Sequence, residues 1–134
     1  MYELTLEASV ENLAQVLAFV DGHLEELECP MRTQLQLDVA IEEIFVNVAS
    51  YAYAPETGDV TVQFVPEDDS VSITFIDSGV AYDPLAKDDP DVTLSAEDRQ
   101  IGGLGIYMVK KSMDDVRYVY CGGRNIFTIV KKLR

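Results

Sequence analysis

The chain has 134 residues, of which 48% are hydrophobic and 25% charged, and its formal net charge is −14. That length suits a single domain (residues 1–134) with a real core, and the composition is that of a globular protein, not a disordered one. The charge speaks against direct nucleic-acid binding, which relies on Lys and Arg set against phosphates, and against anionic membrane surfaces. A polyanion would have to be held by backbone N–H groups, a metal ion or a few placed cations.

No apolar run approaches the roughly 20 residues needed to cross a bilayer. Met1-Tyr2-Glu3-Leu4 lacks the basic start and long apolar stretch of a signal peptide. Cys29 and Cys121 stand alone, without CxxC spacing, so reduced thiols in a cytoplasmic protein are expected.

In chain order, Tyr2, Leu4 and Leu6 alternate with polar residues and predict a first strand. Ser9 reads as an N-cap for a helix over Asn12 to Leu27, with Leu13, Val16, Leu17, Val20 and Leu24 at helical spacing; Cys29-Pro30 ends it. A second helix is predicted from Arg32 to Ala52, with Leu35, Val39, Ile41, Ile44, Phe45 and Val48 as its buried stripe. Val60, Val62 and Phe64, then Val71, Ile73 and Phe75, alternate about the turn Pro66-Glu67-Asp68-Asp69-Ser70 and predict an antiparallel hairpin.

The stretch 80–101 carries no clear element, and a loop of that length in a compact domain is usually functional or mobile. A third helix follows over Leu104 to Ser112. Two last strands, Val116 to Tyr120 and Ile126 to Lys131, flank a turn at Gly122-Gly123-Arg124-Asn125. The expected fold class is α+β: a two-layer sandwich with a mostly antiparallel mixed sheet and helices on one face.

Three places could carry chemistry. Gly102-Gly103-Leu104-Gly105 opens the third helix, where exposed N–H groups attract anions and glycines permit close approach; a glycine-rich turn that admits tight packing is the other reading. It is neither a Walker A loop nor a dinucleotide-binding fingerprint. Asp77, at the end of an apolar strand and before Ser78-Gly79, is either a turn-former or a buried acceptor for a ligand's N–H groups. Glu43 and Asn47 share a helix face at i, i+4, as a solvated pair or as a general base beside a metal-binding oxygen. His23, among Asp21, Glu25 and Glu26, reads as a surface histidine.

Taken in order, Glu43-x-x-x-Asn47, Asp77-x-Gly79 and Gly102-Gly103-Leu104-Gly105 resemble the N, G1 and G2 boxes of the GHKL (Bergerat) ATPase superfamily, which includes gyrase and sensor histidine kinases. The finer resemblance is to the anti-sigma factor serine/threonine kinases. It is carried by Glu43-Ile44-Phe45-Val46-Asn47, Asp77-Ser78-Gly79-Val80-Ala81-Tyr82-Asp83-Pro84, Gly102 through Val109, Met113-Asp114-Asp115-Val116-Arg117-Tyr118 and Asn125-Ile126-Phe127-Thr128.

The resemblance implies ATP and Mg²⁺. It assigns Asn47 to the metal, Glu43 to the attacking hydroxyl, and Asp77 to the adenine amino group. Gly79 would give the base room, Thr128 would support that end of the pocket, and Gly102, Gly103 and Gly105 would offer N–H groups to phosphates. The stretch 80–101 would be the ATP lid, with Arg99 contacting phosphate. An anti-anti-sigma (STAS-like) protein, a sigma factor and a second copy of the chain are the implied partners.

Two departures stand out. Ala81 occupies the place of a second glycine usual in histidine kinases, and Tyr51 that of a histidine found in many anti-sigma kinases. Tyr51 leaves open a non-catalytic, nucleotide-dependent binding module of the same fold. A plain structural domain is the third reading.

Overall fold

Alternation along the strands and 3.6-residue spacing along the helices build one curved layer of each kind. The computed structural model describes residues 1–86 and 103–134, the side chains of 103 and 104 excepted. In chain order the elements are β1 (Tyr2–Glu7), α1 (Leu13–Glu26), α2 (Met31–Tyr51), β2 (Asp59–Pro66), β3 (Ser70–Asp77), α3 (Gly103–Ser112), β4 (Asp115–Cys121) and β5 (Arg124–Lys132). Short 3₁₀ turns occupy Val10–Asn12 and Pro84–Ala86. The five strands form one sheet in the order β1-β2-β3-β5-β4, and the four pairings are antiparallel. The α+β sandwich expected from the sequence is therefore observed.

One face of the sheet makes the core. Val60, Val62 and Phe64 of β2, Val71, Ile73 and Phe75 of β3, and Phe127 and Ile129 of β5 pack against Val16, Val20 and Leu24 of α1 and Leu37, Ile41 and Phe45 of α2. Phe45 and Phe64 are wholly buried, each contributing roughly 1.5–3 kcal/mol relative to exposure. The other face carries polar pairs in register, Thr5 with Thr61 and Thr74 with Thr128.

Three local readings change. On α2, Leu35 and Val39 are 56% and 54% exposed, and Leu37 and Ala40 take their place in the core, because the buried stripe runs through 37, 41, 44 and 45. Ser9 caps the short 3₁₀ turn, its Oγ accepting from the Glu11 N–H at 3.4 Å, and α1 begins only at Leu13. His23 is no plain surface residue: its ring stacks on Tyr2 with centroids 3.9 Å apart and meets Phe19 edge-on at 5.1 Å. Its place on α1, above β1, puts an aromatic cluster where charge alone suggested solvent.

Two features of the fold bring polar groups to one end of the sheet. The β4–β5 hairpin turns at Gly122 and Gly123, whose φ values of 61° and 78° belong to the left-handed region that a two-residue hairpin loop demands. Just after that turn, the β3–β5 register sets Asn125 directly opposite Asp77. The last turn of α2 reaches the same end, where the Ala52 carbonyl accepts the Val80 N–H at 2.8 Å.

Candidate functional site

Asp77 is the last residue of β3, on its core-facing side, and only 5% exposed. A buried carboxylate needs donors, and two reach its Oδ1: the Gly79 N–H at 2.9 Å and the Asn125 Nδ2–H at 2.9 Å. Its Oδ2 makes none of the hydrogen bonds among the described residues. Asn125 is itself saturated. Its second N–H goes to the Val80 carbonyl at 2.9 Å, and its Oδ1 accepts from the Tyr82 N–H at 3.1 Å and from the Tyr118 hydroxyl. Burial raises the pKa of Tyr118, so its hydroxyl remains a donor at neutral pH.

Around this carboxylate lies a mostly apolar cavity between the end of α2, the start of α3 and the sheet. Ile44, Val48 and Ala52 form one wall, Ile106 and Phe127 another, and Asn47, Asp77 and Asn125 supply polar groups. Tyr51 and Tyr82 stack at its edge, with ring centroids 5.7 Å apart. An apolar slot with one acceptor at its end suits a flat heteroaromatic ring bearing an N–H donor.

Glu43 lies one turn before Asn47 on α2 and is exposed. A Cβ built on Gly105 would collide with its carboxylate, meeting Oε2 and lying 2.7 Å from Cδ. The second residue after the start of α3 is thus glycine where the Glu43 side chain passes. The carboxylate sits beside the first turn of a ten-residue helix, whose N–H groups carry partial positive charge.

The expected site residues separate accordingly. Glu43, Asn47, Asp77 and Gly105 meet at one end of the sandwich, and Gly103 begins α3 beside them. Thr128 does not join them. It alternates with Phe127 and Ile129, points to the opposite face of the sheet, and its hydroxyl pairs with that of Thr74 at 3.0 Å. The residue supporting Asp77 is Asn125, three positions earlier.

Gly79 packs against the end of α2. A Cβ there would meet the Ala52 carbonyl oxygen and lie 2.5 Å from its carbon, so the missing side chain makes room for that helix end. Arg99 and Gly102 lie outside the described residues, as does the expected lid from residue 87 onward.

Asn125 and Tyr118 are the polar residues that sequence reasoning missed. The available signal was period two: Asn125, Phe127 and Ile129 share a strand face, so a carboxamide stands on the core side at the sheet end where Asp77 also points.

The model of the histidine kinase-like ATPase domain family matches residues 6–131. The chain belongs to this family. Among curated relatives, the serine-protein kinase RsbW of Listeria monocytogenes serovar 1/2a is 30% identical over 95 residues, covering 67% of this chain and 60% of that protein. The serine-protein kinase RsbW of Bacillus cereus is 25% identical over 128 residues, 92% of this chain and 80% of its own. The chain thus spans about three fifths of the Listeria protein's length.

A crystal structure of the RsbU and RsbW domains of a Mycobacterium tuberculosis protein superposes with a TM-score of 0.71 at 19% identity, over 98% of this chain and 31% of that one. The Acinetobacter baumannii histidine kinase AdeS gives 0.53 at 13% identity, over 100% and 70%. Both likenesses establish the fold. Among the described residues no helix is long and apolar enough to cross a membrane.

Proposed function

We propose that this chain is an ATP-dependent serine/threonine protein kinase of the anti-sigma type. It would phosphorylate a serine on a small anti-anti-sigma protein and hold a sigma factor while that antagonist is phosphorylated. One observation carries the reading. A single helix, α2, presents Asn47 to the cavity that ends at buried Asp77 and, one turn earlier, presents Glu43 to the start of α3. A base, a phosphate chain and an acceptor hydroxyl laid along that line would meet these groups in sequence. The serine-protein kinase relatives support the choice of reaction.

The residues suit both groups that the reaction needs. Asp77, held by two N–H donors on Oδ1, keeps Oδ2 for a base's amino group. No group of three His, Cys, Asp or Glu side chains suited to a metal occurs among the described residues. That fits Mg²⁺, which binds through few protein oxygens and mostly through phosphates and water. Asn47 would supply the carboxamide oxygen, and the bound ion would neutralise charge on the phosphates.

The first N–H groups of α3, at Gly103 and Gly105, would face phosphate oxygens. Glu43 would accept the proton of the attacking serine hydroxyl as its oxygen bonds to the γ-phosphorus and the bond to the β-phosphate oxygen breaks.

A second reading, a binding module that uses nucleotide without transferring phosphate, draws on Tyr51. That residue stands where many such kinases carry histidine, and it stacks on Tyr82. Incubation with γ-labelled ATP and the small antagonist separates the two, because only a kinase moves label. Loss of a positioned general base costs on the order of 10²–10⁴-fold. Glu43→Ala should therefore keep ATP affinity and lose at least about 100-fold in transfer rate. Transfer at the wild-type rate would remove Glu43 from that role.

A further inference from the structure

We propose that the groove between α2 and α3 docks an amphipathic helix of the acceptor protein, apolar along its middle and acidic at the end far from Glu43. This rests on the kinase reading above and adds to it the place and chemistry of the partner's contact.

Leu35 and Val39 are apolar residues that the core leaves outside, and Met108 of α3 is likewise 50% exposed. They are not scattered. Leu35 and Val39 face Met108 across an open groove of about 600 Å³, with Arg32, Gln36 and Ser112 at one end. Ala40 and Val109, each 1% exposed, form its floor. Contiguous exposed apolar surface of this kind marks an interaction site.

The groove leads to the residue assigned to the acceptor hydroxyl. Arg32, Gln36, Val39 and Glu43 recur at four-, three- and four-residue spacing and so form one stripe along α2. Gly105, Met108 and Ser112 do the same on α3. The two helices run antiparallel, because Gly105 lies against Glu43 while Ser112 shares the groove with Arg32 and Gln36. At about 1.5 Å per residue, the stripe from Arg32 to Glu43 is roughly 16 Å long, or about three helical turns.

The walls decide the form of the occupant. Both are helices whose backbone groups bond internally, so an added strand finds no ladder to join. A helix needs only side-chain anchors one turn apart, which this groove accommodates.

Charge decides its direction. The chain's formal net charge is −14, so most of its surface repels an acidic partner. At the far end of the groove, however, Arg32 makes no ion pair among the described residues. Lys111, one turn after Met108, meets only the Tyr107 ring among them, at 5.4 Å. An acidic side chain at that end gains two cations, and a serine about three turns away then lies at Glu43.

The test uses the full chain, γ-labelled ATP and a small anti-anti-sigma protein from the same genome as acceptor. Leu35→Asp and Val39→Asp each place a charge on an exposed apolar wall, so thermal unfolding and ATP affinity should match wild type. Each should raise the acceptor KM at least about tenfold, as loss of a central interface anchor does, with kcat within about twofold of wild type. Arg32→Glu should raise KM by a smaller factor, and that difference should fade as ionic strength rises.

An unchanged acceptor KM in both aspartate variants overturns the proposal and leaves the kinase reading standing. Weakened ATP binding in either variant would show that the groove serves the nucleotide, and a halved mass in solution that it holds a second copy of the chain; both overturn the proposal. If the wild type transfers no label, the kinase reading fails instead. Titration of the same acceptor into the ADP-loaded chain then decides the groove: binding weakened by Val39→Asp supports it, and binding unchanged or absent overturns it.

Discussion

Gly79→Ala should destabilise the protein without depending on any ligand. The new Cβ would lie 2.5 Å from the Ala52 carbonyl carbon and 2.7 Å from the Ala52 Cβ, besides colliding with the carbonyl oxygen. These are backbone-anchored atoms at the end of α2, so no side chain can swing aside. Overpacking of this kind costs about 1–3 kcal/mol. Moving Ala52 also stretches the 2.8 Å hydrogen bond from the Val80 N–H, at about another 1 kcal/mol.

The total, about 2–4 kcal/mol, corresponds to a fall in Tm of roughly 7–14 °C, since unfolding entropy for a chain of this length is about 0.28 kcal/mol per degree. Scanning calorimetry without nucleotide measures it. A variant melting within about 2 °C of wild type but with weakened ATP binding would show that Gly79 serves the base after all. Close packing against Ala52 would then not be the reason for glycine at this position.

Gly105→Ala makes the opposite case. Its new methyl would strike only the far end of the Glu43 side chain, which can move, and alanine favours a helix by about 0.8–1 kcal/mol over glycine. The Tm should hold or rise while phosphate transfer falls, because the Glu43 carboxylate is pushed off α3; undiminished transfer would contradict the placement of Glu43.

Asp38 offers a pH test. Burial, with the Asp21 side chain next to it, raises its pKa to about 7. An acid whose folded pKa exceeds its unfolded value of about 3.9 stabilises fully below that value and loses the contribution as pH rises through 7. The full shift would be worth about 4 kcal/mol, and solvent screening at this half-buried position leaves about 1–2 kcal/mol. Urea unfolding should show Asp38→Asn stabilised by that amount over wild type at pH 8 and near parity at pH 4; a constant difference across that range would refute the assignment.

Much of the protein is legible in its residues because local structure follows local pattern. Alternation in Val60-Val62-Phe64 and Val71-Ile73-Phe75 requires strands with one apolar face, and the hairpin follows from the turn between them. The order of elements, the α+β class and the convergence of Glu43, Asn47, Asp77 and the α3 glycines were all within reach of sequence pattern and resemblance.

The features that stayed hidden depend on contacts between segments distant in the chain. Thr128 and Asn125 differ by three positions, an odd number, and so face opposite sides of β5. Which side meets Asp77 is fixed only when β5 pairs with β3. Leu35 and Leu37 are equally apolar, and the packing of α2 on the sheet decides that the second is core. Gly79 looks like any turn glycine until Ala52, 27 residues earlier, arrives against it.

Sequence by itself thus determined the elements, their order and the residue types that could do chemistry. Tertiary structure alone decided which polar group stands beside Asp77, because a hydrogen bond requires two groups within about 3 Å and only strand register brings Asn125 there.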